Sequence, residues 1–319
     1  MRLFTTLLFI ILACLVSTAN AQDTYPGKPL RLVVPLPPGG PTDFLARTVA
    51  KNLSVALSQP VVVDNKPGAD GVIAAREVIA APADGYTLLF ATGSMPATPL
   101  LSKPPSFNWQ DGLAAVGKVG RISFCLVVHP DVPAKNVTEF VAYARAHPDQ
   151  LNFASSTLGE LMVASQFMQA TGIRMTRIPY KGGAQAMPDL LSGRVQVMFG
   201  PVTLVQANAK NGAVRVLATL LPQRSSALLD TPTLAEAGYH GISVPTWQSI
   251  FVPAKTPHTV VSLLETKLMA VMARPEVRAE IEQRAIFVEP STSQALAATV
   301  EQEQAAWSKL IAEYKLTQE

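Results

Sequence analysis

From Leu30 onward, short apolar runs alternate with stretches in which apolar positions recur every three or four residues. Leu30–Pro35, Val61–Val63 and Tyr86–Thr92 are almost continuously apolar, the pattern of strands buried on both faces of a parallel sheet. Between the first two, Leu45, Val49, Leu53 and Leu57 repeat every four residues and predict the inner face of a helix. A second series opens near Phe124. Cys125–His129, Asn152–Ala154, Met175–Ile178, Val195–Phe199 and Val214–Thr219 read as its strands. Helices are predicted from about Leu158 to Ala170, with Gly172 as the stop, and around Val205–Lys210. Asn136, with Glu139 three residues on, resembles a capping box that opens another helix. A strand-like Val244–Val252 then precedes three helices, about Pro257–Ala273, Pro275–Arg284 and Ser291–Tyr314. Pro257 and Pro275 suit first-turn positions, where a missing N–H costs nothing.

This alternation predicts βαβ units and parallel sheets, hence an α/β fold. A chain of 319 residues exceeds what one core supports, so two lobes are expected. No internal repeat or low-complexity linker separates them. The chain is therefore expected to cross between lobes in strands, near 121–125 and 243–247. That places residues 22–122 with 246–319 in one lobe and 123–245 in the other.

The N-terminus changes the picture of where the protein works. Arg2, the apolar run Leu7–Val16 and the small-residue triplet Ala19-Asn20-Ala21 form a signal-peptide pattern over residues 1–21. The run is short for a spanning helix of ~20 residues, so cleavage after Ala21 and a periplasmic location are expected. The remaining chain carries 25 Lys+Arg against 23 Asp+Glu and a single cysteine, Cys125. No basic stripe points to nucleic acid. Cys125 lies in the apolar run Phe124–Val128 and reads as a buried structural thiol with no disulfide partner. His129, His147, His240 and His258 are too dispersed for a metal-ligand pair. No Gly-x-Ser-x-Gly elbow or nucleophile–base pair can be nominated, so neither a catalytic role nor a metal or other cofactor is expected.

What remains is a set of strand-end loops. In Pro35-Leu36-Pro37-Pro38-Gly39-Gly40-Pro41-Thr42-Asp43 a strand ends, the chain turns and a helix opens at Pro41. Free N–H groups at such a helix start can hold an anion, although the segment alone fits an ordinary strand-to-helix turn better. It lacks the Gly-Lys-Ser/Thr ending of a nucleotide loop. Ser155-Ser156-Thr157 can cap a helix, bind an anion, or both. Tyr180-Lys181-Gly182-Gly183 and Thr92-Gly93-Ser94 also follow strands. Four such loops divided between two α/β series suggest a clamp, because ligands bind outside the carboxyl ends of parallel strands.

The motifs also carry a resemblance. Tyr25-Pro26-Gly27-Lys28-Pro29 through Pro38-Gly39-Gly40-Pro41-Thr42-Asp43, Gln59–Ala69, Ala83–Leu89, Ile178–Gly183, Arg224-Ser225 and Thr231-Pro232-Thr233 together resemble the tripartite tricarboxylate transporter receptors, or Bug proteins. The resemblance spans essentially the whole mature chain. It implies a two-lobed type II periplasmic-binding-protein fold, each lobe a sheet flanked by helices, with a ligand cleft between them. It also implies capture of a small carboxylate, partly through ordered waters, and delivery to a membrane permease of the tripartite type. Docking on a sensor kinase is the alternative partner. Carried over, the ligand-binding residues are Gly39, Gly40, Pro41, Thr42, Asp43, Thr92 and Ser94 from the first lobe. The second lobe contributes Ser155, Ser156, Thr157, Tyr180, Lys181 and Gly182. Two departures stand out. Gly200-Pro201 replaces an Asp-Asn pair common in relatives, which argues against an ammonium-bearing ligand. Pro188 stands near a helix start where relatives lack proline, and is expected only to shorten a helix turn.

Overall fold

The computed structural model describes residues 25–314 other than 103, 222, 226 and 243–245; the expected signal peptide and its cleavage site lie outside them. The continuous apolar run at the start becomes β1 (Leu30–Val34), and the four-residue repeat becomes α1 (Pro41–Leu57). Leu45, Val49, Leu53 and Leu57 all face inward, as their spacing predicts. β2 (Val61–Asn65), α2 (Val72–Ile79), β3 (Thr87–Thr92) and the short α3 (Trp109–Gly112) follow. A 3₁₀ turn at Ala69–Gly71 and a longer 3₁₀ segment at Met95–Leu101 interrupt them. β4 (Leu113–Ile122) then leads, through Ser123 alone, into β5 (Phe124–Val128).

The second series runs α4 (Val137–Ala146), β6 (Asn152–Ser155), α5 (Leu158–Thr171), β7 (Thr176–Pro179) and α6 (Gly183–Leu191). It continues through β8 (Val197–Pro201), α7 (Val202–Lys210) and β9 (Arg215–Thr219). The Asn136 side chain caps α4 by accepting the Glu139 N–H at 2.9 Å. Glu139 reaches back one residue further than a capping box does, to the Lys135 N–H at 2.7 Å. Pro188 sits inside α6 rather than at its start, five residues after Gly183. The chain closes with β10 (Trp247–Pro253), α8 (His258–Met272), α9 (Pro275–Glu282), β11 (Ile286–Thr292) and α10 (Ser293–Tyr314). Pro275 opens α9, whereas Pro257 caps α8 from just outside.

The strands form two sheets, ordered β11-β4-β10-β3-β1-β2 and β7-β6-β8-β5-β9. Each sheet with its helices makes one lobe. Both faces of each are covered: Leu32 and Val34 join one core cluster and Val33 another, while Phe153 and Ala154 divide in the same way. The expectation of parallel sheets needs correction. β1 pairs in parallel with β2 and β3, and β6 with β7 and β8, but β10, β4 and β11 pair antiparallel, as does β5 with β8 and β9. Unbroken apolar character reports burial on both faces and not strand direction. All seven residues of β10 are buried although it runs against both neighbours.

Candidate ligand-binding cleft

The carboxyl ends of β1, β3 and β4 open toward those of β6, β7 and β8. Because β10 and β5 run the opposite way, it is their first residues that arrive at the same edges, Gln248 opposite Thr92 and Phe124 opposite Pro201. The result is a cleft of about 710 Å³, part of it open to solvent.

The Pro-Gly-Gly loop after β1 is held from behind. Asp43, almost fully buried, accepts the Gly39 N–H at 3.1 Å, Arg47 Nε at 2.9 Å and Asn65 Nδ2 at 2.9 Å. Asn65 also donates to the Leu36 carbonyl at 2.9 Å, tying the loop to β2. Burial pushes the Asp43 carboxyl up, but the bonds from Arg47, Gly39 and Asn65 outweigh it and hold the group below its ordinary range. The loop passes through Gly39 at φ +91°, a conformation only glycine adopts readily. It delivers Gly40, Pro41 and Thr42 to the cleft. Gly40 caps α1 with no side chain, so the N–H groups of that first turn stay available to a ligand.

The other wall repeats the arrangement twice. Thr157 caps α5 by accepting the Glu160 N–H at 3.3 Å, and Ser156 precedes it. Gly182 caps α6, again without a side chain, and Gly183, Ala184 and Gln185 follow it along the wall. Thr246 and Gln248 close the cleft from the first lobe. Both are 3% exposed, and Thr246 Oγ1 and Gln248 Oε1 find no hydrogen-bond partner among the described residues. Buried polar atoms are ordinarily paired, so unpaired ones in a cleft wall mark where a bound molecule can supply the partner.

The expected site residues fall into three groups. Gly40, Pro41, Thr42, Thr92, Ser94, Ser156, Thr157 and Gly182 line this cleft. Tyr180 and Lys181 line an adjoining cavity of about 960 Å³ that shares Thr92, Ser94, Ser156 and Thr157 with it, and Asp70 and Arg177 lie there too. The Tyr180 hydroxyl donates to Asp189 at 2.7 Å. Gly39, Asp43 and Ser155 line neither cavity: the first two brace the loop, and Ser155 Oγ, 1% exposed with its residue, accepts Arg177 Nε at 2.8 Å. Among the described residues no group of three His, Cys, Asp or Glu side chains could hold a metal, and no helix is long and apolar enough to cross a membrane. Cys125 is fully buried, its thiol pushed up by desolvation and directed at the Gly200 carbonyl at 3.6 Å.

The family described as the tripartite tricarboxylate transporter family receptor matches residues 45–316. This chain belongs to that family. It is 35% identical to Protein BugT of Bordetella pertussis over 268 residues, covering 81% of this chain and 82% of that protein. Among solved structures it is similar to R. palustris Rpa4515 with adipate, at 30% identity and a TM-score of 0.87, covering 92% of this chain and 99% of that one. MatC (Rpa3494) from Rhodopseudomonas palustris with bound malate is similar at 26% identity and a TM-score of 0.83, covering 90% of this chain and all of that one.

Several lining residues of this family receptor had no signal in the sequence. Ile122, Phe124, Thr246 and Gln248 arrive from the strands that cross between lobes or run antiparallel, where the rule of parallel strand ends does not look. Glu160 stands on the first turn of α5 amid apolar neighbours. Pro201 lines the cleft at the end of β8, where Gly200 beside it has no side chain to offer.

Proposed function

We propose that this chain is an extracytoplasmic receptor that captures a small carboxylate in the interlobe cleft and delivers it to a tripartite tricarboxylate-type membrane transporter. The observation that carries this reading is the meeting of two helix starts, α1 and α6, that no side chain caps, across one cleft rimmed by hydroxyls. A helix start contributes ~0.3–1 kcal/mol toward an exposed anion and up to ~2 when partly buried. Hydrogen bonds to the charged group, at ~1.5–3 kcal/mol each, supply the rest. The ligands named in the two related structures, adipate and malate, are both small dicarboxylates and fit this chemistry. Because the matched family is one of transporter receptors, delivery is favoured over docking on a sensor kinase.

In this reading Gly40, Thr42, Thr92, Ser94, Ser156, Thr157 and Gly182 contact the ligand. The lobe boundaries fall at Ser123 and just before Thr246, and the chain is exported with cleavage after Ala21. The test is native mass spectrometry of freshly purified protein followed by calorimetry with adipate, malate, aromatic acids, amino acids and neutral sugars. A co-purified or tightly bound carboxylate is expected. Tight binding of a sugar alone would overturn the proposal.

A further inference from the structure

Glu160 is the one ionisable side chain among the described residues that line the cleft. It is 2% exposed and stands on the first turn of α5. Its Oε2 accepts both the N–H and, at 2.8 Å, the hydroxyl of Ser156, and the Thr157 N–H also holds the carboxyl. The uncapped starts of α1 and α6 open into the same space and favour negative charge there. A carboxylate drawn to them and an ionised Glu160 would repel each other where water screens poorly. One proton held between the two carboxyl groups turns that repulsion into a hydrogen bond to a charged acceptor.

We propose that Glu160 sets the selectivity of the cleft: as a carboxylic acid it donates to a ligand carboxylate, so the anion binds together with one proton taken from solvent. The inference rests on the carboxylate reading above. The proton is at hand near neutral pH, because burial, and then the charge of Asp70, push Glu160 up to about 7 against the pull of the Ser156 and Thr157 bonds. Besides Asp70, the charged groups nearby are engaged or line the adjoining cavity. Asp43 on α1 is bound to Arg47, and Arg177 and Lys181 line the adjoining cavity with Asp70. β10, α6 and α7 present only neutral groups to the cleft, Gln248, Gln185 and Leu204 among them. The Met95–Leu101 segment and α10 pack on α5 through apolar Ala97, Leu101, Trp307 and Ile311. An ammonium-bearing ligand would instead need Glu160 ionised, and the two helix starts oppose that ligand's positive charge.

The experiment is calorimetry of the mature chain with adipate and malate at pH 6 and 8.5, each in two buffers of different ionisation enthalpy. Uptake of close to one proton per ligand is expected at pH 8.5 and little at pH 6, with affinity falling by up to about tenfold per pH unit above 7. Glu160→Gln keeps an N–H donor in place. It should abolish the proton uptake, flatten the pH profile and bind at pH 8.5 at least as tightly as wild type. Binding of either acid by the wild type with no proton uptake and a flat profile would overturn the role of Glu160 alone. So would an amino acid bound more tightly than either acid and lost on Glu160→Gln. Absence of binding to either acid at both pH values, in a protein that melts cooperatively, would overturn the carboxylate reading and this inference with it. The wild-type proton count stands even where the variant fails to fold.

Discussion

Gly182 of one wall lies beside Pro37 of the other. A Cβ built on Gly182 would lie 3.1 Å from Pro37 Cδ and 3.3 Å from Cγ, tighter than an ordinary contact. The backbone at Gly182 is extended, at φ −171°, so any residue can adopt it. Gly182→Ala should therefore leave the melting temperature near wild type while forcing the Pro-Gly-Gly loop back by a few tenths of an ångström. Because ligand must be gripped by both walls, we expect affinity for adipate or malate to fall several-fold. An alanine variant that binds as tightly as wild type would show that this approach is not part of the bound state. Gly39→Ala is the contrasting change: no atom lies within 4 Å of the added carbon, and the penalty is purely the positive φ, on the order of 1–2 kcal/mol.

The junction between β1 and α1 is an element stabilised by one side chain rather than by packing. Asp43→Ala strips the Gly39 N–H of its acceptor and removes one acceptor each from Arg47 and Asn65, which should cost about 2–4 kcal/mol and weaken ligand binding through the slackened loop. The sign of the pH dependence follows from the depressed carboxyl. Its contribution is fully present above the unfolded value of about 3.9 and is lost as pH falls through the lower folded value. The stability gap between wild type and Asp43→Asn, read from denaturant melts, should be constant from pH 5 to 8 and close in more acidic solution. What the sequence disclosed about this element was its shape: the Pro-Gly-Gly-Pro turn, the helix start and the four-residue apolar face of α1 were all legible. Whether Asp43 faces a ligand or braces the loop was not, since an acid in a first turn suits both. β4 was hidden for another reason. Gly117, Lys118 and Gly120 break its apolar run, and its pairing with β10 shifts register twice. The same blindness concealed the cleft residues that β4, β5 and β10 deliver, and so left Thr246 and Gln248 out of the expected site.

At the scale of the whole molecule, the proposed hinge is short and its two strands are tied together. Ser123 alone separates β4 of one sheet from β5 of the other, and the Ile122 N–H donates to the Thr246 carbonyl at 3.0 Å where the chain returns. Pivoting here would move the lobes as bodies, because each sheet keeps its own covered faces and no ladder bond joins the two sheets among the described residues. Away from the pivot, Gly182 meets Pro37, and Leu158 and Met162 of α5 pack with Ala97, Leu101, Trp307 and Ile311. Those contacts are modest beside the two cores. The ligand-free protein is therefore expected to sample wider openings, with bound ligand selecting the narrow cleft by touching both walls at once. Small-angle scattering should give a larger radius of gyration without ligand than with saturating adipate or malate, and the liganded profile should match this structure. Trp307→Ala, which removes apolar contact between α10 and α5, should widen the ligand-free average further while leaving the liganded profile unchanged. Profiles that coincide with and without a ligand shown by calorimetry to bind would mean that the cleft is preformed and that Ser123 and Thr246 are not a hinge.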